Sequence, residues 1–111
     1  LFESLSSSVF TITDDDNTSS VDNLNKLINK FIKNKKVDAI FTCGSSRILK
    51  LLKDICEQYN IPGQVALEQQ MACGIGMCFC CVKPFRINGK IVQKRVCNEG
   101  PVFNISEALP W

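Results

Sequence analysis

The chain has 111 residues, enough for one domain or two very small ones, and with 45% hydrophobic and 22% charged residues it has a globular composition. Thirteen basic and eleven acidic residues give a net charge of +2, which is too small and too evenly spread to favour nucleic acid binding. The absence of histidine excludes Rieske clusters, histidine-containing zinc sites and catalytic triads. No apolar run is long enough to cross a membrane, so we expect no membrane partner.

The first third of the chain predicts a strand followed by an amphipathic helix. Residues 9–13 alternate β-branched and aromatic side chains and run into a polar segment, residues 14–20, which indicates a strand ending in a turn. From residue 21 to residue 36, apolar side chains recur at helical spacing, and Ser20 is a candidate N-cap. The lysines in this stretch fall where the helix would face water.

The middle of the chain predicts a second strand–helix–strand unit. Residues 37–42 are a short apolar run suited to a buried parallel strand, and residues 43–46 form a turn into a helix that ends near Tyr59 and Asn60. Residues 64–67 are one more candidate strand. This order is typical of a partial doubly wound parallel sheet in an α/β fold. Because so few strands would leave an apolar sheet edge unpaired, we expect a longer parent chain.

The last third contains four cysteines whose spacing, Cys-x4-Cys-x2-Cys-x15-Cys, is that of a plant-type 2Fe-2S ferredoxin loop. The four are Cys73, Cys78, Cys81 and Cys97. Gly74 and Gly76 let the backbone curl closely around a cluster and point N–H groups at its sulfurs. Zinc remains an alternative, although zinc sites usually use two short cysteine pairs, and a third reading is structural thiols. A disulfide framework is disfavoured, because seven cysteines is an odd number.

Two further features of this region concern the fourth ligand and the remaining cysteines. Asn88 and Gly89 separate two strand-like runs, residues 80–87 and 90–96, and predict a β-hairpin that returns Cys97 to the other ligands. Cys80 does not fit the ligand spacing, and Cys56 falls in a helical pattern. We expect both to be small buried hydrophobes.

Two segments carry a resemblance to a known family. Residues 71–82 (MACGIGMCFCCV) and 94–103 (KRVCNEGPVF) closely resemble the C-terminal iron–sulfur region of the electron transfer subunits of dihydroorotate dehydrogenase B, which are members of the ferredoxin-reductase family. Residues 9–60 resemble, more weakly, the second half of the nicotinamide-binding domain of that family. There a strand ends in a Cys-Gly-Pro turn, which in this chain is Cys43-Gly44-Ser45.

The resemblance implies an organisation and a function. Residues 1–67 would be the C-terminal half of a nicotinamide-binding domain, with Cys43 and Gly44 in its pocket, and residues 68–111 would be a 2Fe-2S domain. The full-length subunit would pass electrons from NADH through FAD and the cluster to the FMN of a cytoplasmic catalytic dihydroorotate dehydrogenase subunit in pyrimidine biosynthesis. We expect this chain alone to hold neither FAD nor NAD and not to be catalytic.

The competing functions are a zinc-binding structural or interaction module and an electron transfer subunit of another flavoenzyme. A third, an oxidoreductase with Cys43 as nucleophile, lacks a histidine base. If the chain is a relay, a thinly covered apolar face should lie near Met77, Phe79 and residues 100–103, where a partner would approach.

Overall fold

The computed structural model describes residues 2–5, 8–16 and 18–111. The chain divides into two compact units, the first ending at Lys35 and the second running from Lys36 to Trp111. No helix in the described ranges combines the length and apolar character needed to cross a membrane.

The first unit contains two helices, α1 (Phe2–Leu5) and α2 (Val21–Asn34). The prediction of α2 is confirmed, including its cap: Ser20 Oγ accepts a hydrogen bond from the Asn23 N–H at 3.2 Å. The helix ends two residues earlier than its apolar pattern suggested, because Lys35 adopts an extended conformation. The ring of Phe10 meets that of Phe31 edge to face, with 6.1 Å between centroids.

The strand predicted at residues 9–13 is wrong: these residues have no regular secondary structure. Strand formation needs a neighbouring backbone as well as suitable side chains. Thr13 instead makes local hydrogen bonds across the polar turn. The Thr18 N–H donates to Thr13 O at 3.2 Å, and Thr13 Oγ1 donates to Asp16 Oδ2 at 2.9 Å.

The second unit contains the α/β elements and the hairpin. In chain order they are β1 (Ile40–Cys43), α3 (Ser46–Tyr59), β2 (Gly63–Ala66), β3 (Val82–Ile87), β4 (Lys90–Arg95), α4 (Val96–Glu99) and β5 (Val102–Asn104). The predicted strands and helix of the middle region and the Asn88-Gly89 hairpin are therefore confirmed, within a few residues at their ends. The prediction that the strand at residues 37–42 is buried is wrong: no residue of β1 is buried and Phe41 is 75% exposed, because only one face of this strand is covered. Asn60 ends α3 in the left-handed conformation, with φ +52°.

The sheets of this unit are arranged in two groups. A three-stranded sheet has the order β1-β2-β5, in which β1 and β2 are parallel and β5 is antiparallel to β2; β3 and β4 form a separate antiparallel pair. The α/β class is confirmed, but the three-stranded sheet is mixed, because β5 returns from the cysteine-containing region to pair with β2. A domain division at residues 67 and 68 stays a prediction.

The core of the second unit joins both sheets. The inward face of α3 packs with the strands, and the rings of Phe85 in β3 and Phe103 in β5 lie 4.5 Å apart between centroids. The C-terminal segment fastens the hairpin to α3: the Arg86 N–H donates to Glu107 O at 2.8 Å, and Lys53 Nζ donates to Ser106 O and Ala108 O, both at 2.8 Å. The segment after β5 thus bonds to both β3 and α3.

We predict that Phe85→Ala lowers the free energy of unfolding by about 3–5 kcal/mol, because Phe85 is 0% exposed and its removal leaves a cavity. Urea unfolding of the purified chain followed by circular dichroism measures the change. The control is Ile91→Ala on the same hairpin, where the side chain is 63% exposed and the loss should stay within about 0.5 kcal/mol. Equal losses in the two variants would contradict this description of the core.

Candidate metal centre

Three of the four candidate ligands lie in one irregular segment, residues 73–81, here called the cysteine loop. Its tight course depends on left-handed backbone conformations at Gly74 (φ +67°) and Gly76 (φ +83°). A Cβ added at Gly76 would lie 3.0 Å from Cβ of Asn98 in α4, so glycine there also allows the cysteine loop to approach that helix closely.

The hairpin brings the fourth cysteine to the cysteine loop. Val82 at the start of β3 pairs with Arg95 at the end of β4, so the residues just outside the hairpin lie side by side. The Val96 N–H donates to Cys81 O at 3.2 Å, and the Cys97 N–H donates to Cys81 Sγ at 3.4 Å. The long interval between the third and fourth cysteines is therefore the length of the hairpin.

The four thiols form two pairs. The Cys78 N–H donates to Cys73 Sγ at 3.4 Å, and the Cys73 and Cys78 side chains also interact. Cys81 and Cys97 form the second pair through the same kind of contacts. The backbone of the cysteine loop links the two pairs, because Gly76 makes a backbone hydrogen bond to Cys97 and its carbonyl accepts from Arg95 Nη1 at 3.0 Å.

Hydrogen bonds to sulfur shift the ionisation of these thiols. The Cys78 N–H, followed by the Ile75 N–H and the Cys78 thiol, lowers the pKa of Cys73 to about 6. The Cys97 N–H and the Cys97 thiol lower the pKa of Cys81, while donating that thiol proton to Cys81 raises the pKa of Cys97. The lowered pKa of Cys73 favours its thiolate, which is the form that binds metal. Backbone N–H groups donate to the sulfurs of Cys73 and Cys81.

The donor set fits a two-iron cluster. In such a cluster each iron takes two thiolates, which matches two cysteine pairs, whereas a zinc ion requires four ligands around one point. Within the described ranges, no three side chains of histidine, cysteine, aspartate or glutamate converge as ligands of a single ion. Two cysteine pairs are compatible with two irons that each take two thiolates.

The other cysteines are distributed differently. Cys56 is buried in α3, as predicted, and burial raises the pKa of its thiol. Cys80 is exposed, so the prediction that it is buried was wrong. The positive φ of +58° at Phe79 reverses the chain just before Cys80, and the Cys80 N–H donates to Cys78 Sγ at 3.5 Å. Cys80 contributes its amide to the site while its side chain lies in solvent.

The predicted nicotinamide pocket lies at the end of β1. Cys43 is the last residue of that strand and is exposed, and Gly44 lies before α3, where an added Cβ would contact Ile48 at 3.6 Å. The structure does not bring these two residues into the group of the four cysteine ligands. Their role stays a prediction.

The surface of the cysteine loop is apolar. Ile75, Met77 and Phe79 are 66%, 74% and 62% exposed. The prediction of an exposed apolar face is therefore confirmed for Met77 and Phe79. Phe103 is buried against Phe85, and only Val102 of that strand adds exposed apolar surface.

One pair of residues near the site was missed by the sequence analysis. Arg95 Nη1 donates to Gly76 O at 3.0 Å, and Arg95 Nε donates to Glu99 Oε2 at 3.2 Å. The sequence signal was present, because opposite charges four residues apart flank Cys97. The contact with the cysteine loop depends on the fold.

The comparisons with known proteins agree with this geometry. Residues 68–108 match the family model of the iron–sulfur cluster binding domain of dihydroorotate dehydrogenase B. The dihydroorotate dehydrogenase B (NAD(+)) electron transfer subunit of Caldanaerobacter subterraneus subsp. tengcongensis is 42% identical over 74 residues, covering 67% of this chain and 30% of that protein. The subunit of the same name from Desulforamulus reducens is 30% identical over 102 residues, covering 92% of this chain and 39% of that protein.

A solved structure also resembles the chain. It is described as an NADH-dependent reduced ferredoxin-NADP oxidoreductase, in a study of flavin-based electron bifurcation, and matches with a TM-score of 0.63 and 25% identity over 78% of this chain and 30% of its own. The chain thus spans between 30% and 39% of the length of these two relatives and 30% of that structure.

Proposed function

The chain belongs to the family of dihydroorotate dehydrogenase B electron transfer subunits, and on this premise we propose that it relays single electrons through a 2Fe-2S cluster. The proposed ligands are Cys73, Cys78, Cys81 and Cys97. The observation that carries the proposal is the pairing of these thiols, with backbone N–H groups already directed at the sulfurs of Cys73, Cys78 and Cys81. A cluster of this type takes up and releases one electron.

The protein groups around the thiols have two tasks in this proposal. The N–H donors of Cys78, Cys80 and Cys97 offset negative charge on the sulfurs, which favours the reduced form and so raises the reduction potential. The two-residue Asn88-Gly89 turn and the buried Val96 after β4 keep β3 and β4 in register, and with them the positions of Cys81 and Cys97. The thiols are therefore placed by the fold.

We further propose that β1, α3 and β2 are part of a doubly wound nicotinamide-binding sheet, with Cys43 and Gly44 at its pocket. The support is the parallel β1–β2 pair with a helical crossover and the likeness to the ferredoxin-NADP oxidoreductase. In the family's full-length subunit, NADH would supply the electrons and a bound FAD would pass them on one at a time. We propose no hydride transfer by this chain alone.

The electron acceptor in this proposal is the FMN of a catalytic dihydroorotate dehydrogenase subunit in the cytoplasm. The names of the relatives, as electron transfer subunits, support such a partner. The exposed side chains of Ile75, Met77 and Phe79 provide an apolar patch on the cysteine loop, where a docked partner would lie close to the cluster.

We predict that Cys97→Ser abolishes or severely reduces cluster binding, because the cluster needs four thiolates and the hairpin delivers the last one. Iron and acid-labile sulfide content after anaerobic reconstitution, with the visible absorption spectrum, measures the loss. Cys80→Ser and Cys56→Ser are the matched controls and should retain the spectrum. Bleaching by Cys80→Ser, with Cys81→Ser unaffected, would refute the ligand assignment.

We predict that Met77→Glu slows electron delivery to the catalytic subunit about tenfold, because a carboxylate would be desolvated in the apolar interface. Stopped-flow reduction of the partner's FMN by the chemically reduced chain measures the rate. Cluster content should be unchanged. Ile91→Glu is the control, since Ile91 is similarly exposed but lies at the turn end of the hairpin. Equal electron-transfer rates in the two variants would show that the partner does not dock at Met77.

A further inference from the structure

Arg95 connects the two halves of the proposed cluster site. It is the last residue of β4, two positions before Cys97, and its Nη1 donates to Gly76 O at 3.0 Å. Gly76 lies in the cysteine loop between Cys73 and Cys78. A single side chain thus ties the segment that carries the first cysteine pair to the strand that leads to the fourth cysteine.

The orientation of the Arg95 guanidinium is fixed by two further contacts. Glu99 Oε2 accepts from the Arg95 backbone N–H at 2.7 Å and from Arg95 Nε at 3.2 Å. The guanidinium carbon lies 5.4 Å from the ring centroid of Phe79, which belongs to the cysteine loop. Arg95 therefore contacts the cysteine loop at two points and is itself anchored by α4.

An ordinary surface ion pair would not account for these contacts. The Arg95–Glu99 pair is about one-third exposed on each side, and such pairs contribute little stability. The bond to Gly76 O is different, because it joins a charged donor to a backbone carbonyl 19 residues away in a segment with no regular secondary structure. Its loss would remove one contact between the cysteine loop and β4 and would leave the buried Phe85 in place.

We propose that Arg95 is a positioning residue which, through its planar fork, holds the cysteine loop against α4 and so keeps the two cysteine pairs together. The inference rests on the proposed cluster function. A lysine would keep the charge but would lack the fixed fork that reaches Glu99 and Gly76 O in one geometry. Arg95 is not one of the proposed ligands; it acts through the backbone that carries them.

The test compares Arg95→Gln and Arg95→Lys with the control Lys90→Gln, which removes a positive charge at the opposite end of β4. In the metal-free 111-residue chain, hydrogen exchange of the amides of residues 75–78 measures the freedom of the cysteine loop. In the reconstituted chain, the rate at which an iron chelator bleaches the cluster measures retention of the cluster.

We expect amide hydrogen exchange in the cysteine loop and bleaching of the cluster by the chelator each to be roughly tenfold faster in both Arg95 variants, because one charge-assisted hydrogen bond is lost. Lys90→Gln should match the wild type in both rates. Rates within twofold of the wild type in Arg95→Gln would overturn the proposal, as would faster exchange with unchanged bleaching. Wild-type behaviour of Arg95→Lys would refute the role of the fork. If the wild-type chain bound no iron or sulfide, the proposed function would fail, and with it the positioning role towards a cluster. The hydrogen exchange rates would still show whether the contact between Arg95 and Gly76 O restrains the cysteine loop.

Discussion

The register of the β3–β4 hairpin determines whether Cys97 meets Cys81. Pairing of Val82 with Arg95 places Cys81 and Cys97 immediately beyond paired positions, close enough for the Cys97 N–H to donate to Cys81 Sγ. A shift of one residue would turn the side chains of β4 to the opposite face and carry Cys97 away from its partner. The two-residue Asn88-Gly89 turn and the fully buried Val96 directly after β4 oppose such a shift.

The rest of the second unit supports this register. β5 joins β2 and contributes Phe103, whose ring packs on Phe85, and the segment after β5 bonds to β3 through the Arg86 N–H. Lys53 of α3 donates to two carbonyls of the same segment. The α/β elements therefore support the proposed cluster site mechanically, because β2 and β5, which lie before and after the hairpin in the chain, pair with each other.

Much of the fold and most of the candidate site follow from the sequence, because the signals are local. The apolar periodicity and Ser20 cap predict α2, Asn88-Gly89 predicts the hairpin, and the cysteine spacing predicts the ligand set. What escaped prediction depends on tertiary context. β5 has only three residues and exists through its pairing with β2, and the outward turn of Cys80 follows from the backbone conformation of Phe79.

The central claim is that two pairs of thiols hold a two-iron cluster, and metal analysis of the reconstituted chain tests it most directly. The account predicts about two irons and about two acid-labile sulfides per chain, with an electron paramagnetic resonance signal that appears after reduction by one electron. One zinc ion per chain, without labile sulfide and without a reducible centre, would contradict it.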